Sequence, residues 1–217
     1  MGIDLGHVLT GLREPWRKVF FSNFRAWVRD RGDVWRLRWS GLGPGSTAFD
    51  FGGYRGDWAA AVHAGTGARV EVFEPHPTFA AGIAARFKGN DALRVHAFAL
   101  GSTEATMALS DAADASSAVA GADGPVVGHQ RTVVAFFDEF GDRRIGLAKI
   151  NIEGGEYDLL PALIAADRIG QIDLIQVQFH LYKQSDIARR DAIRAALQTT
   201  HRCDWCYDFV WEQWSLR

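Results

Sequence analysis

The chain has little cysteine, no long apolar run and almost no net charge. Two cysteines among 217 residues do not make the cysteine-dense framework of a small secreted domain. A formal net charge of -2 gives no overall attraction to nucleic acid or to an anionic membrane. No stretch reaches the ~18 consecutive apolar residues of a membrane span, and the first residues lack a signal-peptide pattern. We therefore expect a cytoplasmic protein with no nucleic-acid partner and no membrane span.

Length and composition fit one α/β domain. Hydrophobic residues make up 47% and charged residues 23% of the chain, as in ordinary globular proteins. A length of 217 residues suffices for one full core and is short for two. A Gly-Leu-Gly-Pro-Gly breaker at 41–45 separates an N-terminal extension, residues 1–45, from a predicted main domain, residues 46–217.

Short β-branched or aromatic runs alternate with longer helical patterns from residue 47 onward. This alternation is typical of a parallel sheet covered by helices. A polar low-complexity stretch at 111–124 predicts a loop near the active face, with extra strands at 106–109 and 131–136. The chain closes with a predicted hairpin at 205–216. The main predicted strands are 47–51, 69–73, 93–100, 145–152 and 172–179, and the predicted helices are 57–63, 77–87, 157–166 and 186–197.

The N-terminal extension is basic and aromatic. Between residues 13 and 38, eight basic residues outnumber three acidic ones, and six large aromatic residues interleave with them. The pattern predicts an amphipathic helix over 15–30 and a strand over 34–39. The helix could be a lid, a dimer or partner surface, or an element packed on the sheet. We favour packing, because so many aromatic side chains need burial. Arg25 and Arg29 could then flank an anionic acceptor.

A glycine-rich turn follows the first predicted strand. Gly52, Gly53 and Gly56 allow positive φ and close approach of backbone amides to a ligand. About twenty residues later, Glu74 ends the second predicted strand. A carboxylate there can accept hydrogen bonds from both hydroxyls of a ribose. Together the two features predict a nucleoside-cofactor site.

The glycine spacing favours one cofactor over another. A dinucleotide fingerprint requires G-x-G-x-x-G, with the middle glycine beside a pyrophosphate. The spacing here, Gly52-Gly53-x-x-Gly56, suits S-adenosylmethionine better, because this cofactor has no phosphate. Asp50 also fits a cationic ligand. An NAD-dependent oxidoreductase is the less favoured alternative.

Three segments together resemble the FkbM family of methyltransferases. They are residues 49–56, residues 72–77 and the run Lys-Ile-Asn-Ile-Glu-Gly-Gly-Glu at 149–156. The resemblance extends over about 47–180, with support from Ser116-Ser117 and from Gln178-Phe179-His180. The cofactor-binding residues that it implies are Asp50, Gly52, Gly53, Tyr54, Gly56, Glu74, Pro75, His76, Ala99, Leu100 and Ser117.

The resemblance also implies a fold and an activity. The fold is α/β, a Rossmann-like class I methyltransferase with a mostly parallel seven-stranded sheet, an antiparallel C-terminal hairpin and helices on both faces. The activity is S-adenosylmethionine-dependent O-methylation of a sugar or natural-product hydroxyl. The implied partner is a small-molecule or saccharide acceptor, and a homo-oligomer is possible.

The chain departs from the family pattern at three positions. Tyr54 replaces the usual Asn, Asn151 replaces the usual Asp, and Gln178 replaces a common Glu. The loss of two carboxylates weakens the case for a metal site, and none is expected. It also motivates an alternative function, a catalytically silent subunit that binds cofactor or glycan.

A methyl acceptor must lose its hydroxyl proton, so a base is needed. His180, at the end of the fifth predicted strand, is the preferred base, because an unperturbed imidazole has a pKa near ~6.5. A cap on the strand end is the alternative role. Glu153 is the next candidate, to orient the acceptor or share the base function. Asn151 would lie near the sulfonium.

Three further features are expected to be structural. Glu156 places negative charge in the first turn of the following helix. Lys149 could pair with a buried acid such as Asp50. Cys203 and Cys206 form a lone CxxC pair on a predicted strand, where residues i and i+3 point to opposite faces.

Overall fold

The computed structural model describes residues 14–39, 41–109 and 126–217. The predicted loop at 111–124, with Ser116 and Ser117, lies outside these residues. Within the described ranges, no helix combines the length and apolarity needed to cross a bilayer.

The main sheet has seven strands in the order β3-β2-β1-β7-β8-β10-β9. The first five are parallel to one another, while β10 runs antiparallel to both β8 and β9. This arrangement confirms the predicted fold class and the closing hairpin. The strands are β1 Thr47–Phe51, β2 Arg69–Phe73, β3 Leu93–His96, β4 Ala99–Gly101, β5 Ala105–Leu109, β6 Val126–Thr132, β7 Leu147–Ile150, β8 Leu174–Val177, β9 His201–Tyr207 and β10 Trp211–Leu216.

Helices cover both faces of this sheet. Side chains alternate along β1, so Ala48 faces one side while Phe49 and Phe51 face the other. Ala48 packs with α3 and α4, and the two phenylalanines pack with α5 and α6. The helices are α1 Lys18–Arg29, α2 Gly32–Trp35, α3 Asp57–Thr66, α4 Pro77–Arg86, α5 Val133–Phe140, α6 Glu156–Ala165 and α7 Ser185–Leu197.

The predicted third strand, 93–100, is in fact two strands. β3 ends at His96, whose carbonyl oxygen accepts a hydrogen bond from the backbone nitrogen of Glu74 at 3.0 Å. The chain then bends, and β4 pairs with β6 in a separate three-stranded sheet of order β4-β6-β5. β5 confirms the extra strand predicted at 106–109.

The predicted strand at 131–136 is wrong. β6 ends at Thr132, whose side-chain oxygen accepts a hydrogen bond from the nitrogen of Ala135 at 3.1 Å and caps α5. The buried residues of α5 follow a helical spacing that was readable in the sequence. They are Val133, Phe136, Phe137 and Phe140.

The predicted strand at 34–39 is also wrong. Arg31 adopts a left-handed φ of 56°, which reverses the chain into the short helix α2. Trp35 on α2 packs edge-on against Trp205 of β9, with ring centroids 4.6 Å apart. Tertiary packing of one tryptophan therefore overrides a local β preference.

The N-terminal helix packs on the sheet, as favoured from the sequence. Trp27 is 2% exposed and contacts the rings of Trp35, Trp205 and Tyr207. The hydroxyl of Tyr207 also donates to Asp30 at 2.9 Å. The extension is thus bound to the closing hairpin.

Candidate functional site

The strand order reverses between β1 and β7. In open α/β sheets ligands bind at such a switch point, outside the carboxyl ends of the strands. Gly52 follows β1, Glu74 follows β2, Asn151 follows β7 and His180 lies just beyond β8. The topology therefore gathers the predicted cofactor and catalytic residues along one edge.

The glycine turn needs its glycines. Gly52 has a φ of +83° and Gly56 a φ of +77°. A Cβ at Gly52 would also collide with the backbone oxygen of Asn151. Tyr54 adopts a φ of +50°, which an asparagine tolerates better than a tyrosine. The turn therefore brings its backbone close to the end of β7 and carries strain at Tyr54.

Glu74 joins the glycine turn to the end of β2. Its Oε2 accepts a hydrogen bond from the backbone nitrogen of Tyr54 at 2.8 Å, and its Oε1 accepts one from that of His76 at 2.9 Å. Burial raises the pKa of Glu74, and the two backbone hydrogen bonds oppose that shift. Each carboxylate oxygen has two lone pairs, so each can accept one further hydrogen bond.

Aromatic rings lie beside Glu74. The ring of Phe79 on α4 is 4.5 Å from that of His76 and 4.8 Å from that of Tyr54. His76 is buried, whereas Tyr54 is 39% exposed. Next to them, a Cβ at Gly128 of β6 would collide with the backbone oxygen of Pro75. The Glu-Pro-His segment is therefore packed from two sides.

Asp50 does not face the cleft. Its side chain is fully buried, and its Oδ1 accepts a hydrogen bond from Nζ of Lys149 at 2.9 Å. Lys149 also donates to the carbonyl oxygens of Phe51 and Gly52, at 3.2 and 2.7 Å. The pairing of Lys149 with a buried acid is confirmed. A direct contact of Asp50 with a cationic ligand is not supported, because the lysine neutralises its charge.

Two of the implied cofactor residues lie on β4. Leu100 is 4% exposed and packs in the core with Phe51 and Phe73. The side chain of Leu100 is therefore not available to a ligand. Ala99 is partly exposed, and Ser117 lies outside the described residues.

Asn151 supplies a polar atom at the switch point. Its Oδ1 is buried and makes no hydrogen bond to any described residue. A buried acceptor without a partner is costly, so a ligand donor there would be stabilising. The contact of Asn151 with a cofactor stays a prediction.

His180 is held between two carboxylates. Its Nδ1 lies 3.1 Å from Oε1 of Glu156 and its Nε2 lies 3.3 Å from Oε2 of Glu153. Burial lowers the pKa of His180, but hydrogen bonds to Glu153 and Glu156 outweigh burial and raise it to about 9. The expectation that His180 titrates near neutral pH is therefore wrong. A protonated imidazole cannot take a proton, so it is poorly suited to be the base.

Glu156 does more than charge a helix terminus. It is the first residue of α6 and is fully buried. Its Oε2 accepts from the nitrogen of Gly154 at 2.9 Å, and its Oε1 accepts from the backbone nitrogen of His180 at 2.6 Å. Glu156 thus fixes the position of His180 as well as the turn after β7.

Glu153 is the carboxylate that remains open. Its φ is +51°, a strained left-handed conformation, and its side chain is 46% exposed. Oε2 accepts a hydrogen bond from the hydroxyl of Tyr182 at 2.8 Å and contacts His180, whereas Oε1 has no partner among the described residues. Burial opposes ionisation of Glu153, but His180 and Tyr182 lower its pKa below the usual value.

The sequence interpretation missed two tyrosines of this network. The ring of Tyr182 stacks on that of His180 with centroids 5.7 Å apart, and the hydroxyl of Tyr157 donates to the backbone oxygen of His180 at 2.8 Å. Burial raises the pKa of both tyrosines. The proximity of Tyr182 to His180 in the chain was the available signal.

A cavity of about 330 Å³ lies next to this network. Its polar lining includes Arg17, Gln178 and His180. Neither Arg25 nor Arg29 lines it, and Arg29 instead pairs with Asp30 at 2.7 Å. Arg17, rather than the two arginines proposed from the sequence, is the guanidinium at this cavity.

The two cysteines lie on the same face of β9. Cys203 pairs with Trp214 and Cys206 with Glu212, because a bulge leaves Asp204 unpaired. The sequence argument that placed them on opposite faces is therefore wrong. Donor atoms of Cys206, Asp208 and Glu212 lie within 4.8 Å of one another.

Two arginines form ion pairs with the acidic residues of this group. Arg190 and Arg194 form ion pairs with both Asp208 and Glu212. Burial also raises the pKa of both thiols. The acids therefore already have cationic partners, and the thiols favour their protonated form.

Comparison with known proteins agrees with this geometry. The model of the methyltransferase FkbM domain matches residues 50–205, more than half of the chain. Methyltransferase FkbM from Methylobacillus flagellatus KT is similar in structure, with a TM-score of 0.53 and 16% identity, over 81% of this chain and 44% of that one. The chain therefore spans less than half the length of that protein.

A second solved structure is similar at a comparable level. It is a Staphylococcus aureus protein provisionally assigned as a caffeoyl-CoA O-methyltransferase, with a TM-score of 0.50 and 8% identity, over 79% of this chain and 76% of that one. At such identities the likeness establishes the fold alone. No curated protein matches the sequence.

Proposed function

Because the chain belongs to the methyltransferase FkbM domain family, we propose that it transfers the methyl group of S-adenosylmethionine to a hydroxyl of a small-molecule acceptor. The sequence resemblance names sugars and natural products as acceptor classes. The observation that carries the proposal is that a cofactor-type carboxylate, Glu74, and a partly exposed carboxylate, Glu153, lie along the same edge of the sheet.

The residues at the switch point fit this cofactor. Glu74 keeps an acceptor position on each oxygen, which matches the two hydroxyls of a ribose. Oδ1 of Asn151 is buried without a described partner and would accept a hydrogen bond from the cofactor. The carboxylate of Glu153 favours a nearby positive charge such as a sulfonium.

When bound, S-adenosylmethionine supplies a methyl carbon whose bond to sulfur breaks with the electron pair staying on sulfur, so the acceptor loses a proton as its oxygen gains the methyl group. Oε1 of Glu153 is the acceptor for that proton, since Oε2 is already hydrogen-bonded. His180 and Tyr182 hold Oε2 and thereby orient Oε1. Glu156 in turn fixes His180. Positioning of the acceptor oxygen supplies most of the acceleration.

Calorimetric titration with S-adenosylmethionine and its demethylated product tests the cofactor part. We expect both to bind the folded protein, and Glu74→Gln to weaken binding at least about tenfold through loss of charge-assisted hydrogen bonds. Glu71→Gln is the matched control, because Glu71 lies on β2, three residues before Glu74, and pairs with His96 at 2.7 Å instead. Absence of binding to the wild-type protein would overturn the proposal.

Transfer itself is tested with labelled methyl donor and a panel of hydroxylated acceptors. We expect Glu153→Gln to lower kcat by about 10²–10⁴-fold, the range for loss of a general base. Full activity of this variant would remove Glu153 as the base. The silent-subunit alternative predicts donor binding without any turnover.

A further inference from the structure

Three phenylalanines and one tyrosine line the cavity beside His180. Phe20 and Phe21 of α1, Phe209 of the β9–β10 turn and Tyr182 line its volume of about 330 Å³. Its lining includes His180 and Tyr182, the two residues that contact Oε2 of Glu153. A molecule in this cavity would therefore contact the two residues that hold the proposed base, although Glu153 itself does not line the cavity.

Most polar groups around the cavity are already occupied. Nε of Arg17 pairs with Glu14 at 2.7 Å, and Nη2 of Arg17 donates to the backbone oxygen of Tyr182 at 3.4 Å. Both ring nitrogens of His180 face carboxylates, and the hydroxyl of Tyr182 donates to Glu153. The ring of His180 and the hydroxyl of Tyr182 have little capacity left for a ligand, whereas Nη1 of Arg17 makes no hydrogen bond to any described residue.

Few polar groups remain available. Two of them line the cavity. The side-chain amide of Gln178 makes no hydrogen bond within the described part of the chain, although its backbone nitrogen donates to Ile150 at 2.9 Å. Nη1 of Arg17 is the second. Oε1 of Glu153 lies behind His180 and Tyr182 and does not itself line the cavity. The site can thus satisfy only a few hydroxyl groups. A polyhydroxylated acceptor would bury hydroxyls without partners, which is unfavourable.

The weak basicity of Glu153 also favours a phenolic acceptor over an aliphatic alcohol. His180 and Tyr182 lower the pKa of Glu153 despite its partial burial, so its carboxylate is a weak proton acceptor. A phenolic hydroxyl has a pKa near ~10, whereas water, a guide to aliphatic hydroxyls, has one near ~15.7. A weak base therefore suits a phenol better than an alcohol.

We propose that the acceptor is an aromatic compound with a ring hydroxyl, bound with its ring against Phe20, Phe21 and Phe209 and its hydroxyl toward Glu153. This inference rests on the proposed methyl transfer and specifies its acceptor class. Aromatic rings gain from edge-on or offset contact with other rings. The three phenylalanines lie outside residues 50–205, so the segments that select the acceptor are not part of the matched family region.

The test compares catechol with trans-1,2-cyclohexanediol and methyl glucoside as methyl acceptors. Catechol and the diol share a six-membered carbon ring and two neighbouring hydroxyls, and they differ in aromaticity. We expect kcat/KM for catechol to exceed that for either of the others at least about 100-fold. Equal or faster methylation of the diol or the glucoside overturns the aromatic acceptor while leaving methyl transfer intact.

If none of these compounds is methylated, their binding to the cavity tests the inference. Ligand-observed NMR on protein saturated with the demethylated cofactor product detects catechol or 2-naphthol in the cavity. Binding of either aromatic probe, with none for the diol, supports the inference, and the absence of aromatic binding overturns it. Failure of the protein to bind the methyl donor would instead refute the proposed function.

Two variants on one helix locate the binding surface. Phe21→Ala should raise KM for catechol about tenfold or more with little change in kcat and donor affinity, because it removes one wall of the cavity. Val28→Ala is the control, because Val28 is 53% exposed on the same helix and does not line the cavity. Equal effects of the two substitutions on KM would contradict the proposal.

Discussion

Glu156 binds His180 twice, through the backbone nitrogen at 2.6 Å and through Nδ1 at 3.1 Å. Glu153 holds the other ring nitrogen, so the imidazole bridges two acids that are three residues apart in the chain. This bridge joins the end of β8 to the turn after β7. Because it raises the pKa of His180, we expect this imidazole to be a fixed cation rather than a proton acceptor at neutral pH.

The protonation state of His180 can be measured directly by NMR titration of the imidazole. We expect a pKa of about 9, well above the ordinary value of 6.5, because the carboxylates of Glu153 and Glu156 outweigh the effect of burial. In Glu156→Gln the midpoint should fall. A wild-type midpoint below about 7 would contradict the assignment of His180 as a cation.

The raised pKa of His180 makes stability depend on pH in a defined direction. A group whose pKa is higher in the folded state stabilises it fully below the unfolded value and loses that contribution as pH rises through the folded value. The advantage of the wild type over His180→Gln should therefore decline between about pH 6.5 and 9. A shift of 6.5 to about 9 corresponds to about 3 kcal/mol at most. Urea unfolding at several pH values tests this decline.

The pH dependence of methyl transfer distinguishes the two candidate bases. The pKa of Glu153 is lowered, so its carboxylate is ionised throughout the neutral range. We expect a flat rate from about pH 6 to 8 and a fall above about 9, where His180 loses its charge and its hold on Glu153. A rise through pH 9 that is present in the wild type and lost in His180→Gln would instead identify His180 as the base, because ionisation of a phenolic acceptor would raise the rate of both proteins.

The buried pair of Asp50 and Lys149 should be strongly coupled. Lys149→Met leaves a fully buried carboxylate without its cation and should lower the free energy of unfolding by about 3–5 kcal/mol. Asp50→Asn combined with Lys149→Met should be less destabilised than Lys149→Met alone. Strictly additive effects in a double-mutant cycle would show that the two residues do not interact.

The ring of Trp27 leaves no room for a side chain at position 32, which is occupied by Gly32. A Cβ at Gly32 would overlap the Trp27 ring, so Gly32→Ala should destabilise the protein by about 1–3 kcal/mol through displacement of the tryptophan. Gly45→Ala is the matched control, because a Cβ there meets nothing within 4 Å. Thermal unfolding followed by tryptophan fluorescence compares the two variants. Similar melting temperatures would contradict the packing described for α1.

Local pattern and composition were sufficient for the order of the main strands and helices. They also identified the glycine turn, the carboxylate at Glu74 and the family, since these depend on residues close together in the chain. Apart from α5, whose helical spacing was readable in the sequence, prediction failed where distant residues decide. Trp35 is helical because Trp205 packs against it, and the cysteines share a face because Asp204 bulges out of its ladder. The charge of His180 belongs to this second group, because its pKa is determined by Glu153 and Glu156, which only folding brings to its two nitrogens.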